Sequence, residues 1–324
     1  MRQTLFILLL VLLMTATASA QKDFSYTTFD VPGPGVAGTK AFRGNARGDI
    51  VGRYFIGGNG PHGFLRKADG TFTAPIDVPV TNTGTVCRGI NARGDIVGRY
   101  FDNSGNTHGF LLETDGTFTT IDVPSTAPLF GVPGTTVAEQ LNNMGEIVGF
   151  YDAPTILPNF GLVNLTHGFL RHTDGRFERI DFPGSDITLA SGTTDQGKVV
   201  GTYFIIGTGF PVTSIRGFVR EHDGSYKSID VPVPSAFGTI VNGMNDAGDI
   251  EGSYLSTAVD ITQFSGDNGV PGTAYFLSST GSLTQVEVPG AFPLATSALG
   301  INPRGNVIGE YIDASGEHGF VATK

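Results

Sequence analysis

Histidine and aspartate recur at fixed places in this sequence, and both residue types can do chemistry. Four histidines open a His-Gly-Phe segment: His62, His108, His167 and His318. Acidic residues recur before a Val-Pro or Phe-Pro pair: Asp30, Asp77, Asp122, Asp181, Asp230 and Glu287. Histidine is a common metal ligand and general base, and paired carboxylates can act as acid and base. Ligands must converge within about 2 Å of one ion, so the chemistry depends on where the fold places each copy.

These residues belong to a repeat. Its clearest copy is GINARGDIVGRYFDNSGNTHGFLLETDGTFTTIDVP, residues 89–124, and a Gly-x-Tyr element aligns the others. The glycines of that element are Gly52, Gly98, Gly149, Gly201, Gly252 and Gly309. Their spacings run from 46 to 57 residues. A period of that size indicates a propeller or a solenoid.

Each copy divides into four short strands. In the copy at 89–124, the first strand ends at Gly-Ile-Asn and the second covers 95–100. The third covers 108–113, and an Asp-Gly turn leads to the fourth at 118–123. Pro124 then ends the ladder at an outer edge, where a missing N–H does little harm. Four antiparallel strands per repeat are typical of a propeller blade.

The two ends of the chain complement each other. The sixth copy stops after its third strand, at 318–324, whereas residues 24–32 read as a fourth strand with no blade before it. The sequence therefore predicts an all-β, six-bladed β-propeller of four-stranded antiparallel blades, its ring closed by the N-terminal strand completing the last blade. An open solenoid, the alternative, would not need this complementation.

On such a ring the repeated histidines and acids lie one per blade, far apart. We therefore expect no metal site, no cofactor and no catalytic residue among them. Each histidine ring should bond a neighbouring strand or turn, and each aspartate should accept hydrogen bonds from turn N–H groups. Repeated asparagines before the glycine turns read as turn formers: Asn45, Asn91, Asn142, Asn245 and Asn302.

The N-terminus has the pattern of a secretory signal peptide. Arg2 precedes an apolar run from Leu5 to Met14, and Ala18-Ser19-Ala20 resembles a cleavage site. An uncleaved anchor is the alternative, but the run is short for a membrane span. We expect residues 1–20 to be the signal peptide and 21–324 a single propeller domain, secreted to the periplasm or the medium, with no membrane insertion after cleavage.

The net charge limits the classes of partner to expect, and the cysteine content limits the covalent cross-links. The net charge is −10 with no basic cluster, so nucleic acid and anionic lipid are not expected partners. The single cysteine, Cys87, excludes an internal disulfide and is expected to be buried.

The pattern GIN-x-x-G-x-I-V-G-x-Y followed by HGF-L resembles the bacterial extracellular repeat family called HAF, after its His-Ala-Phe motif. The resemblance covers nearly all of the chain after the signal segment. Glycine replaces the motif's alanine here, and the tryptophan that often follows it is absent, since the chain has no Trp. The resemblance implies export and a propeller-like fold, and it implies no established chemistry.

The copies differ most between their second and third strands. Three successive copies carry long apolar loops there, at 152–166, 204–215 and 255–273. These loops share a face with the connections between blades, and loops on a rigid scaffold commonly bind ligands. They either pack together as a lid or form a partner surface. The candidate binding residues are Phe160, Phe210, Asp260, Gln263, Phe264 and Asp267, together with Arg53 and Arg99 of the first two copies.

Three functions remain, of which the third is a purely structural surface protein. The first is a secreted, non-catalytic binding or scaffold module that engages a protein or polysaccharide outside the cell or in the cell envelope. The second is an extracellular propeller-type hydrolase or lyase acting on glycans or lactones. Charged and polar side chains converging at the centre of the ring would favour the enzyme. A centre lined by Thr, Val, Ala and Gly would favour the binding module.

Overall fold

The computed structural model describes residues 24–58, 60–80, 83–124, 134–157, 161–207, 212–257 and 272–324. Within these ranges the protein is all β-structure, with no helix. No helix in the described ranges is therefore long and apolar enough to span a membrane. The expected signal segment, 1–20, lies outside the described residues.

The strands follow one another through short turns. The first twelve are β1 Ser25–Phe29, β2 Val36–Gly44, β3 Ile50–Ile56, β4 His62–Arg66, β5 Phe72–Ile76, β6 Thr85–Ile90, β7 Ile96–Phe101, β8 Thr107–Leu112, β9 Phe118–Ile121, β10 Thr136–Leu141, β11 Ile147–Leu157 and β12 Gly161–Arg171. The next twelve are β13 Phe177–Ile180, β14 Ile187–Thr193, β15 Val199–Ile206, β16 Val212–Arg220, β17 Tyr226–Ile229, β18 Gly238–Met244, β19 Ile250–Leu255, β20 Thr273–Leu277, β21 Leu283–Gln285, β22 Thr296–Ile301, β23 Val307–Asp313 and β24 Gly316–Thr323.

Most of the strands form four-stranded antiparallel sheets, one for each sequence repeat. Three of them have the orders β2-β3-β4-β5, β6-β7-β8-β9 and β10-β11-β12-β13. Copies four and five, β14–β17 and β18–β21, count as one eight-stranded sheet because a single parallel bridge joins Ile215 to Gly238. The remaining sheet has the order β1-β24-β23-β22, so the N-terminal strand pairs with the third strand of the sixth copy.

The first strand of each copy is the inner strand, and inner strands contact one another in series. β2 contacts β6, and the contacts continue through β10, β14 and β18 to β22, which contacts β2. The apolar core lies between adjacent sheets. Cys87, for example, packs with Val51 of the preceding sheet and with Tyr100 and Phe110 of its own. Cys87 is fully buried and unbridged, as predicted, and burial raises the pKa of its thiol.

Asparagine forms the turn between the first and second strands, as predicted. Asn45 Oδ1 accepts hydrogen bonds from the N–H groups of Arg47 and Asp49. Its Nδ2 donates to the carbonyl of Asn91 in the next copy. Gly48 completes the turn at φ 98°, a conformation that favours glycine. The turn residues thus both close a hairpin and join neighbouring sheets.

The long loops predicted in copies three and four are extended β-hairpins in their described parts. β11 and β12 stay paired out to Leu157 opposite Gly161, and β15 and β16 out to Ile206 opposite Val212. Their β-branched and apolar residues suit pairing between half-buried strands, a possibility that the loop prediction overlooked. Residues 258–271, the centre of the copy-five loop, lie outside the described residues.

Candidate functional site

Each repeated histidine bonds the repeated aspartate of its own sheet. His62 Nδ1 lies 2.9 Å from Asp77 Oδ2, and the pairs His108–Asp122, His167–Asp181 and His318–Asp30 are equivalent. The predicted structural role of the histidines is therefore confirmed. The predicted role of these aspartates is wrong, because their carboxylates meet a side chain of the third strand rather than turn N–H groups.

Copies four and five lack this histidine. Arg216 takes its place in copy four and forms an ion pair with Asp230. In copy five the residue at this place is Thr273, which lies opposite Tyr254 as His62 lies opposite Tyr54.

All six inner strands carry a β-bulge at the same position. A bulge leaves one residue without a partner in the ladder and redirects its side chain. The unpaired residues are Phe42, Arg88, Glu139, Ser191, Asn242 and Leu299. An aromatic, a cation, an acid, a hydroxyl, an amide and an aliphatic side chain thus occupy equivalent places. No two copies share a residue type at this position of the inner strand.

Arg43 follows the first of these bulges and joins four inner strands. Its guanidinium donates to the carbonyls of Ser191 and Asn242 at 2.7 and 2.6 Å. It also donates to the carbonyl of Glu139 at 3.2 Å and lies 3.4 Å from that residue's carboxylate. Arg88 approaches the same carboxylate at 3.0 Å. We call Arg43, Arg88, Glu139 and the nearby Glu251 the central cluster.

Glu251 is the unusual member of the central cluster. Its side chain is fully buried, and neither carboxyl oxygen has a hydrogen-bond partner among the described residues. Burial raises the pKa of Glu251 to about 8, and the charge of Arg43 only partly opposes the shift. In the other copies this position of the second strand is aliphatic: Val51, Val97, Val148, Val200 and Ile308. Glu251 is therefore largely a neutral acid at neutral pH.

A second group of charges, the rim cluster, lies between the first and sixth copies. Lys40 Nζ is 2.7 Å from Glu310, and Arg53 binds both carboxylate oxygens of Glu317 at 3.0 and 3.2 Å. Burial raises the pKa of Glu310, with Lys40 opposing the shift. Burial of Glu317 acts the same way, but its hydrogen bond with Glu310 and the charge of Arg53 outweigh it and lower that pKa. Glu310 is therefore the carboxylate of the pair that takes up a proton more readily.

The candidate binding residues are thus placed as follows. Arg53 is buried in the rim cluster, and Arg99 is half-buried with its guanidinium 5.2 Å from the centre of the Phe101 ring. The other six candidates, Phe160, Phe210, Asp260, Gln263, Phe264 and Asp267, lie outside the described residues.

The two ends of the inner strands differ. The turns between first and second strands of all six copies surround a shallow, open depression of about 450 Å³, and we call this side the turn face. Side chains there bond from turn to turn: Asn143 with Ala92 and Asp195, and Asp246 with Asp195. The opposite side, which carries the connections between second and third strands and between sheets, is the crossover face.

Exposed apolar side chains concentrate on the crossover face. The described residues include seven large exposed hydrophobic side chains: Val80, Met144, Leu162, Ile205, Phe292, Leu294 and Ile312. Only Met144 belongs to a turn of the turn face. Leu294 is also the only non-glycine residue in the described ranges with a positive φ, 59°. Such strain is found disproportionately at functional sites.

The apolar hairpins themselves are partly packed. Leu165 and Ala153 are buried in copy three, and Val212 and Ile215 are buried in copy four. Leu162 and Ile205, nearer the hairpin tips, are exposed. The described parts of these hairpins are therefore packed near the sheet and exposed at Leu162 and Ile205.

Sequence reasoning missed both charged clusters, although it left a signal for one of them. The second strands read IVG, IVG, IVG, VVG, IEG and VIG from copy one to copy six, and only the fifth has an acid. Comparing the copies column by column singles out Glu251. The β-bulge position gives a weaker signal for the other residues of the central cluster. A position whose residue type varies between copies could equally well face solvent.

The described residues include no group of three or more His, Cys, Asp or Glu side chains that could hold a metal ion. No protein-family model matches the chain, and no curated protein sequence matches it.

Several solved structures are similar in fold. A streptogramin B lyase is 12% identical with a TM-score of 0.50, and the match covers 92% of this chain and 97% of that one. A gluconolactonase from Xanthomonas campestris is 13% identical, also at 0.50, covering 93% and 89%. An Aleuria aurantia lectin in complex with α-methyl-L-fucoside is 11% identical at 0.50, covering 89% and 94%. At these identities the likeness shows a propeller-like all-β fold and nothing about activity.

Proposed function

We propose that this chain is a secreted, closed six-bladed β-propeller that binds an extracellular or cell-envelope partner through its crossover face. The ring is supported by the series of contacts from β2 through β22 and back to β2, and by the pairing of β1 with β24. Export is supported by the signal-like pattern of residues 1–20.

The observation that carries the binding role is the uneven distribution of exposed apolar residues. Six of the seven large exposed hydrophobic side chains in the described ranges belong to the crossover face. Apolar side chains gathered on one face of a soluble protein commonly indicate an interaction site. Charged side chains do converge in the central cluster, the feature named above as favouring an enzyme, but Arg43 there is bound to backbone carbonyls and so joins strands. Each repeated histidine bonds an aspartate of its own sheet, and that contact also holds strands together.

A protein partner fits this surface best. Five of the six exposed side chains are aliphatic, and aliphatic patches are buried favourably against another protein. Polysaccharide is the second partner class. One structural neighbour is a lectin solved with a fucoside, and Phe292 offers an exposed ring on which a sugar could stack.

Paired surface substitutions test the proposal. We expect Leu162→Ser with Ile205→Ser to weaken binding to a cell-envelope protein fraction by tenfold or more, because the apolar tips would no longer be buried. Met144→Ser on the turn face is the matched control. Immobilised protein of residues 21–324 would be titrated with fractionated envelope proteins and with soluble polysaccharides.

Saturable binding by the parent protein and by Met144→Ser, lost in the double variant, supports the proposal. The class of fraction that binds identifies the partner class. Loss of binding in Met144→Ser alone, or no binding of any fraction, would reject the crossover face as the binding surface.

A further inference from the structure

Copy six differs from copy two in the turn that precedes the repeated histidine. Copy two reads DNSGNTH at 102–108, and copy six reads DASGEH at 313–318, one residue shorter. In copy two, His108 Nε2 faces Asp102 Oδ2 at 3.3 Å. In copy six the shorter turn brings the Ser315 hydroxyl to 2.9 Å from His318 Nε2.

The other nitrogen of the same ring is held by a carboxylate. His318 Nδ1 lies 2.9 and 3.0 Å from the two oxygens of Asp30, the residue that follows β1. Tyr311 packs beside the imidazole with ring centroids 5.1 Å apart. A hydroxyl, an imidazole and a carboxylate thus stand in line, with the carboxylate orienting the base. This is the arrangement by which a serine is activated as a nucleophile.

The arrangement is open to solvent and lies beside apolar surface. Ser315 is exposed. Ile312, three residues earlier, accepts a hydrogen bond at its carbonyl from the N–H of Phe292 and donates its own N–H to Ala295. Phe292, Leu294 and Ile312 are all exposed there, so an apolar group has a surface next to the serine.

We propose that Ser315, His318 and Asp30 form a hydrolytic triad that cleaves esters whose apolar acyl group rests on Phe292, Leu294 and Ile312. His318 Nε2 takes the hydroxyl proton as Ser315 Oγ bonds to the ester carbonyl carbon. The imidazolium then gives that proton to the leaving alcohol as the carbon–oxygen bond breaks. Water then gives a proton to the same imidazole as its oxygen bonds to the acyl carbon. That proton passes to Ser315 Oγ as the bond between Oγ and the acyl carbon breaks and the acid leaves.

Asp313 competes for the same hydroxyl proton. Its Oδ1 lies 2.6 Å from Ser315 Oγ and 3.2 Å from His318 Nε2, and it accepts the Ser315 N–H at 2.7 Å. Hydrogen bonds from Ser315 hold the pKa of Asp313 below its usual value. The Asp313 carboxylate therefore lowers the reactivity of the Ser315 hydroxyl, and a substitution that removes its charge should raise that reactivity.

Copy three offers a contrast with similar geometry. Thr155 Oγ1 lies 2.9 Å from His167 Nε2, and Asp181 lies 3.1 Å from Nδ1. His167 is buried, however, and Arg179 also approaches its ring nitrogens. A substrate cannot reach that imidazole without displacing the arginine, so the activity is assigned to copy six.

The test measures hydrolysis of p-nitrophenyl acetate and butyrate by residues 21–324. We expect turnover above buffer, faster with butyrate, that falls at least tenfold in Ser315→Ala and in His318→Gln and rises in Asp313→Asn. Ser104→Ala, the equivalent substitution in copy two, is the control and should match the parent. A fluorophosphonate probe should label Ser315, as read by peptide mass spectrometry.

Hydrolysis no faster than buffer, or hydrolysis and labelling that persist in Ser315→Ala, would overturn the proposal. The melting temperature of each variant shows whether lost hydrolysis reflects loss of the triad or loss of the fold. Ser315→Ala is the decisive variant because it lies at an exposed turn. The assay needs no envelope partner, so its result is independent of the proposed binding function.

Discussion

At the scale of single residues, Glu251 breaks a column of the repeat that is otherwise aliphatic. A carboxyl group occupies a place that is aliphatic in the other five copies, and it lies against Gly243, whose lack of a side chain makes room for it. Burying a polar group without a partner costs stability. The cost grows when the group ionises, because a buried charge is harder to accommodate than a neutral acid.

The pH dependence of folding follows with a definite sign. The folded-state pKa of Glu251, about 8, lies above the ordinary value for glutamate, so the folded state binds a proton that the unfolded state releases. The stability that comes from proton binding at Glu251 is fully present below about pH 4.3 and is lost as the pH rises to about 8. The free energy of unfolding should fall across this range, by up to about 1.4 kcal/mol per pH unit from this group.

Glu251→Val should remove that dependence and raise stability near pH 8 by about 1–4 kcal/mol, since buried ionisable groups are often replaced favourably by apolar ones. Guanidinium chloride unfolding at pH 5 and pH 8 measures both effects. Glu113→Val, at an exposed position, is the control. A variant whose stability difference from the parent is the same at both pH values would contradict the assignment.

Residue-level prediction from sequence succeeded where local chemistry decides. Asn45 was recognisable as a turn former because its side chain bonds its own turn, and Cys87 as buried because it lies in an apolar strand. Sequence could not show that Asp77 meets His62 across the sheet, or that the Asp30 carboxylate reaches a histidine 288 residues later. Such pairings depend on register and ring geometry, which local patterns do not contain.

At the scale of elements, the link between an outer strand and the next inner strand has its own repeated hydrogen bond. A threonine near the start of each inner strand accepts a hydrogen bond at Oγ1 from the backbone N–H that follows the repeated acid. The six threonines are Thr39, Thr85, Thr136, Thr188, Thr239 and Thr296. All six are buried, so these N–H groups would lack water if the hydroxyl were removed.

Thr239→Val should therefore lower the free energy of unfolding by about 1–3 kcal/mol, because it leaves the buried N–H of Val231 without an acceptor. Valine keeps the shape of threonine and removes only the hydroxyl. Thr239→Ser keeps the hydroxyl and should recover most of the loss apart from one methyl group. Chemical denaturation compares the three proteins, and equal stability of the Val variant and the parent would show that this bond is not needed.

The strands themselves were largely predictable, with ends shifted by a residue or two. The second strand predicted at 95–100 is Ile96–Phe101, and the third predicted at 108–113 is Thr107–Leu112. The hairpins of copies three and four were missed because their residues break the alternation expected of a strand. The bulges were missed because the same residues fit an unbroken ladder equally well.

At the scale of the whole molecule, β1 is the element on which the proposed ring depends. It pairs from Ser25 opposite Thr323 to Phe29 opposite Gly319. Phe24 and Val31, which flank it, are buried in two different core clusters. Without this strand, β24 would present an unpaired edge, which promotes association between chains.

A protein that begins at Val36 should melt roughly 10 °C below one that begins at Phe24, given about 1.5–3 kcal/mol for each large apolar side chain lost. It should also self-associate, as size-exclusion chromatography would show. A synthetic peptide of residues 24–33, added in excess, should restore both properties. If the shortened chain stays monomeric with an unchanged melting temperature, the ring does not rely on this strand.

The pairing of β1 with β24 also sets an order of events during synthesis. The ribosome makes β1 before all the strands of the repeats, and its partner only after them. Until β24 emerges, β1 has no place in any sheet, so a chain interrupted at any earlier point keeps a loose end and an open edge. Proteases act readily on such segments. Copies that lack β24 should therefore be cleared selectively, whereas copies that contain it are protected because β1 and β24 pair.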